Sequence, residues 1–193
     1  MQQITLVHTN DVHCNLDRWP QTAAVIKAEL ARAAAAGSPA AYVDAGDFME
    51  MSDPICYGTG GDVTPALLGA LGCAAFAPGN NELWRNRMAR TSDLAARSTF
   101  PWLCCNLRQV PGFRDWTVIQ AGSVRLGVVG VTAQYLHMAG PMGLTHPNRN
   151  DAIRRAALEA RRAGAQIILL LSHVGLRADR EIAVAGLGVD AII

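Results

Sequence analysis

Residues 166–171, Gln-Ile-Ile-Leu-Leu-Leu, are almost wholly apolar, and the run stops abruptly at Ser172 and His173. A strand with one wet face alternates apolar and polar side chains. A strand that is apolar at nearly every position is covered on both faces, as in parallel sheets with layers above and below. The run therefore predicts a layered α/β domain. The same pattern of a short apolar strand ending in a polar turn recurs along the chain. Residues 4–7 lead to Asp11 and His13, residues 40–43 to Asp44 and Asp47, residues 73–77 to Asn80, Asn81 and Glu82, and residues 101–105 to Asn106.

Helical stretches separate these strands, which makes the sheet largely parallel. Residues 21–36 follow Pro20, suited to a first helical turn, and place Ile26, Leu30 and Ala33 on one face. Asp62 is the expected N-cap of a helix over 63–71, after a polar, glycine-rich loop at 52–61. Residues 83–97 read as a helix with four outward arginines. Asn148 or Asn150 can cap a helix over 151–163, with Asp151 at its positive end and Arg161 and Arg162, read as a solvated face, at its negative end. A short helix at 179–185 precedes a strand at 189–193, expected to be buried. Residues 116–120 and 124–131 form a hairpin around Gly122. The loop 132–147 carries His137 and His146. The whole chain, 1–193, reads as one domain.

Composition narrows the partners. Half the residues are hydrophobic and 17% are charged, which is a globular composition. A net charge of +1 gives no electrostatic basis for binding nucleic acid or a membrane surface. No run is long enough for a membrane span. The first residues enter a strand without a basic and apolar leader, so the expected compartment is the cytoplasm. Five cysteines without a Cys-x-x-Cys spacing read as buried structural thiols, with Cys14 set apart by its place beside the Asp11–His13 turn.

In open α/β sheets, ligands gather beyond the carboxyl ends of the strands. Asp11, His13, Asp47, Asn80 and His173 all belong there. In an extended segment, residues i and i+2 point the same way, so Asp11 and His13 can converge. Two carboxylates, two imidazoles and an amide form an oxygen and nitrogen set that suits Mn, Fe, Co or Zn better than Ca or a thiolate site. If one carboxylate bridges, the set can hold two ions about 3.5–4 Å apart, which polarise a phosphoryl oxygen and activate water. Each residue alone also fits ordinary turn work, Asp47 after Gly46 and Asn80 after Gly79. Their recurrence at strand end after strand end favours the metal.

His-Thr-Asn-Asp-Val-His at 8–13, Gly-Asp at 46–47, Gly-Asn-x-Glu at 79–82, Asn106 and Ser-His-x-Gly at 172–175 occur in order along the chain. Together they resemble the N-terminal catalytic domain of the 5′-nucleotidase branch of the calcineurin-like metallophosphoesterases. The resemblance implies a dinuclear site, with Asp11 and His13 on the first ion, Asp47 bridging, and Asn80 and His173 on the second. It implies hydrolysis of a nucleotide-like phosphate ester by a metal-bridged hydroxide, with Asn81 and His173 as candidate catalytic residues. Two departures stand out. Asn81 occupies the place of the family's histidine general acid, and an amide can bond to phosphate but cannot deliver a proton. Loss of such an acid costs about 10²–10⁴ in rate. The family's final Gly-His-x-His motif would follow residue 193. The expectation is therefore a fragment that self-associates or meets a complementary chain at its C-terminal face. A non-catalytic metal- or phosphate-binding domain and an interaction half remain the alternative readings.

Overall fold

The computed structural model describes residues 3–83, 88–108, 110–133 and 147–193. His137 and His146, and residues 84–87 of the expected third helix, lie outside them. Five strands form a parallel sheet: β1 (Thr5–Thr9), β2 (Ala40–Asp44), β3 (Cys73–Phe76), β4 (Trp102–Leu103) and β5 (Phe113–Arg114), paired in that order. Four more form a mixed sheet. In it β6 (Trp116–Ala121) pairs antiparallel with β7 (Val124–Thr132), which pairs parallel with β8 (Ile167–His173), and β8 with β9 (Ala191–Ile192). The expected sheet plus hairpin is thus two sheets, because the hairpin recruits β8 and β9 to itself.

The sheets meet face to face. Val43, Ala45, Ala75 and Leu103 of the first pack against Leu126, Val128, Leu169 and Leu171 of the second in one buried cluster. Helices α1 (Trp19–Ala35), α2 (Pro54–Gly58), α3 (Val63–Ala70) and α4 (Met88–Arg97) follow strands of the first sheet. Its outer cluster draws Ile26, Leu68 and Leu94 from them onto Tyr42 and Phe76. On the far side, α5 (Arg149–Arg162) and α6 (Leu176–Val184) bring Ile153, Ala156 and Ile182 onto Val129, Ile168 and Leu170. Helix, sheet, sheet, helix is the resulting order of layers. It explains why β8 is apolar on both faces: Leu169 and Leu171 point to one sheet, Ile168 and Leu170 to α5.

Several local expectations need correction. The loop at 52–61 contains α2, started by Asp53, whose carboxylate accepts from the amides of Ile55 and Cys56 at 2.9 Å. Asp62 makes no cap bond; Arg90 and Arg97 each take one of its oxygens at 2.7 Å. Of the two candidate caps for α5, Asn148 is the one used. Arg161 is not simply solvated, since it reaches Asp190 and the Gln166 carbonyl. Residues 189–193 are not a buried strand: Ala191 is exposed and Val189, Ile192 and Ile193 are half-buried. All five cysteines are free and buried, Cys14 included. No described helix is long and apolar enough to cross a membrane.

Candidate metal centre

The carboxyl ends of β1, β2, β3 and β8 converge at one rim. The turn after β1 is laced to the turn after β2 by three backbone bonds, Asp11 N–H to Gly46 O (2.8 Å), His13 N–H to Asp47 O (2.9 Å) and Cys14 N–H to Phe48 O (2.8 Å). The lacing holds Asp11, His13, Cys14 and Asp47 in the left-handed region, at φ of 53°, 48°, 48° and 52°. That region is uncommon for residues other than glycine, and such strain concentrates at functional sites. Asp11 and His13 do converge, with His13 Nε2 3.5 Å from Asp11 Oδ1. They do so because a left-handed turn folds them together, not because an extended strand alternates.

Gly46 and Gly79 let the β2 and β3 turns touch. A Cβ on Gly46, itself at φ +101°, would fall 2.5 Å from the Gly79 nitrogen, and one on Gly79 would fall 2.1 Å from Asp47 Oδ1. Glu82, fully buried, ties the two turns together by accepting from the amides of Asp47 (3.0 Å), Met49 (2.9 Å) and Gly79 (2.7 Å). Desolvation outweighs those bonds and raises its pKa to about 7. Asp44 sits below, buried, with Thr9 donating to it at 2.5 Å and Gly46 N–H at 2.8 Å; burial lifts its pKa to about 8.

Asp47 is the centre of the arrangement. Its carboxylate lies 3.4 Å from His173 Nε2 and 3.7 Å from His13 Nε2. Desolvation works to raise its pKa, but His173, the Asn81 amide and His13 together hold it below the usual carboxylate range. Burial would lower the His173 pKa; Asp47 and the Ala45 carbonyl overcome this and raise it to about 9. His173 Nδ1 donates to Ala45 O at 2.8 Å, which leaves Nε2 facing Asp47. Ligand atoms of Asp11, Asp47 and His173 lie within 4.8 Å of one another, a group able to hold a metal ion. The oxygen and nitrogen donors, two of the residues carboxylates and one a tautomer-fixed imidazole, fit a first-row divalent cation.

Asn81 binds both sides of this group. Its backbone amide donates to Asp47 Oδ1 at 2.8 Å, and its side-chain amide lies 3.1 Å from Asp47 Oδ2 and 3.2 Å from His13 Nδ1. Asn80 is half-buried in the same turn, its carbonyl accepting from Leu83 N–H at 3.2 Å. Asn106 belongs elsewhere: it exchanges two hydrogen bonds with the Thr132 backbone, at 2.7 and 3.1 Å, and staples the end of β4 to β7. Open space flanks the group on two sides. A cleft of about 570 Å³ is lined by Asp11, His13, Glu50 and Asp53, and another of about 310 Å³ by Asp11, Ala45, His173 and Asp179. Sequence reading missed Glu50 and the roles of Asp44 and Glu82, although Asp44 closes an apolar strand and Glu82 ends the Gly-Asn-x-Glu motif.

Comparison with known proteins identifies the family. The Calcineurin-like phosphoesterase family profile matches residues 4–193. The chain belongs to the calcineurin-like phosphoesterase family. An uncharacterized metallophosphoesterase, YunD, of Bacillus subtilis is 28% identical over 198 residues, spanning all of this chain and 43% of its own length. A snake venom 5′-nucleotidase of Gloydius brevicauda is 25% identical over 99% of this chain and 36% of its own length. Among solved structures, a 5′-nucleotidase precursor from Thermus thermophilus superposes with a TM-score of 0.79 at 22% identity, covering 98% of this chain and 40% of that one. The sulfate thiohydrolase SoxB from the same organism gives 0.82 at 19% identity, covering all of this chain and 47% of that one. The chain thus spans less than half the length of these relatives.

Proposed function

We propose that residues 1–193 form the metal-bearing catalytic domain of a phosphoesterase that hydrolyses a nucleotide-like phosphate ester. One observation carries the reading: the buried Asp47 carboxylate stands between His13 and His173, with Asp11 beside it. A carboxylate so placed suits a shared ligand. Asp11 and His13 belong to one ion on this reading, Asn80 and His173 to the other, and Mn, Zn, Fe or Co fit the donors. Two such ions supply Lewis acidity to a phosphoryl oxygen and acidify water at neutral pH.

The chain's own residues set the rest. Ala45 holds the His173 ring in the orientation and tautomer a ligand needs. Asn81 fixes Asp47 and offers an amide N–H to a phosphate oxygen, but it carries no proton for a departing alkoxide. A good leaving group therefore suits this site better than a poor one. The 5′-nucleotidase names of the relatives support a nucleotide-like substrate. The fold does not choose it, since SoxB shares the architecture.

The test is hydrolysis with added Mn of an aryl phosphate and of a nucleoside monophosphate. Aryl phosphate turnover, abolished in Asp47→Asn, is expected, with a much slower nucleotide rate. Tight metal binding without turnover of either ester would favour the second reading, a metal- or phosphate-binding domain, to which Asn81 lends weight.

Two further properties belong to this proposal. Among the described residues, β1 and β9 are sheet edges, and Leu176 and Val184 of α6 are 67% and 87% exposed. We propose that this side is covered in solution, by a second copy or by a complementary chain; a monodisperse monomer in light scattering at micromolar concentration would refute it. Five unpaired thiols support a reducing compartment such as the cytoplasm.

A further inference from the structure

The two histidines of the site are held from behind in different ways. His173 Nδ1 donates to a backbone carbonyl, so Nε2 is the nitrogen turned toward a cation. His13 Nδ1 stands between two outer groups of opposite character. The Asn81 side-chain nitrogen lies 3.2 Å away and is a donor; Glu50 Oε2 lies 3.5 Å away and is an acceptor.

These neighbours select different tautomers. Donation from Asn81 requires a bare Nδ1, which puts the proton on Nε2, aimed at Asp11 and Asp47 and closed to a metal. Acceptance by Glu50 requires Nδ1–H, which leaves Nε2 bare. Glu50 is itself prepared for that task. Its other oxygen, Oε1, takes the Ser52 amide at 3.0 Å and the Ser52 hydroxyl at 2.9 Å. Oε2 is thereby turned toward the imidazole. A separation of 3.5 Å is longer than a formed hydrogen bond, and such contacts often tighten only in the complete site.

We infer that Glu50 is a positioning residue, anchored by Ser52, that holds His13 in the metal-binding tautomer against the opposing pull of Asn81. The inference rests on the metal-site reading above. It assigns Glu50 no contact with substrate. It also explains why a carboxylate three residues beyond Asp47 lines the cleft beside His13. Carboxylate–histidine–metal relays of this kind orient the ring and raise its basicity, and removing the outer partner typically costs about 10–100-fold in metal affinity.

The experiment uses the full chain and its Glu50→Ala and Ser52→Ala variants, with two readouts. Mn and Zn affinities are measured by competition with a chromogenic chelator. The Nδ1–H proton of the Zn-bound His13 ring is followed by its exchange with water, its signal assigned with His13→Gln. Glu50→Ala is expected to weaken one of two metal sites about 10–100-fold while sparing the other, and to speed the exchange of that proton. Ser52→Ala is expected to move both readouts the same way by less. Unchanged affinity, an unchanged exchange rate, or equal loss at both sites would overturn the role of Glu50. A wild-type chain that binds neither metal would instead overturn the metal-site reading itself, and this inference with it.

Discussion

On the proposed reading, Asp47 is the shared ligand and Asn80 a ligand of one ion. Asp47 reaches both histidines, whereas Asn80 is expected to serve one ion. Asp47→Asn should therefore lower the metal content measured by mass spectrometry more than Asn80→Ala does; equal contents in both variants and wild type would remove the shared role. Glu82 tests the scaffold beneath. Glu82→Ala leaves three buried backbone donors without their acceptor, at about 1–3 kcal/mol each. A loss of at least about 3 kcal/mol in urea unfolding is expected, and a change below about 1 kcal/mol would mean that water replaces the carboxylate. That Asp11, His13, Asp47 and His173 gather at one rim was legible in the sequence, because each follows an apolar strand. Glu50 was not, because its partner is a ring 37 residues away in the chain, and no periodicity reports a turn-to-turn contact.

The strands were legible where hydrophobic periodicity ran long enough, as in β7 and β8. Helix α2 was hidden because five residues in a glycine-rich loop show no period, although Asp53 followed by Pro54 is a start signal. Strand β5 has only two residues. The Asp62 cap failed because two arginines of α4 compete for the same carboxylate. The partition into two sheets was also invisible, since it depends on which strand β7 accepts as neighbour. Gly130 of β7 marks a close approach of the sheets: a Cβ there would lie 2.0 Å from the Leu103 carbonyl oxygen. Gly130→Ala should destabilise the fold by about 1–3 kcal/mol through overpacking, with metal affinity preserved in the folded fraction. Unchanged stability would show that β4 and β7 can move apart freely.

For the whole molecule, the rim is built at the expense of buried charge. The pKa values of Asp44 and Glu82 rise from 3.8 and 4.5 to about 8 and about 7, mainly by desolvation. The folded state binds their protons more tightly than the unfolded chain does. Their contribution to stability is complete below about pH 4 and is lost as the pH climbs through 7 and 8. His173, raised from 6.5 to about 9 when no metal is bound, behaves alike: its contribution is complete below 6.5 and lost through 9. Asp47 runs the other way, contributing above 3.8 and losing its share in acid. The chelator-treated protein should thus melt at a lower temperature at pH 9 than at pH 6. Saturating Mn should weaken that slope, because a cation replaces the proton on His173. A melting temperature that rises from pH 6 to pH 9 without metal would contradict the burial of these groups.

The central claim is that one buried carboxylate joins two metal positions at the strand ends. Anomalous diffraction from crystals grown with Mn tests it most directly. Two peaks are expected on opposite sides of the Asp47 carboxylate, one nearer His13 and Asp11, the other nearer His173 and Asn80. A single peak touching only one histidine, or peaks away from Asp47 altogether, would contradict the shared site and the phosphoesterase chemistry built on it.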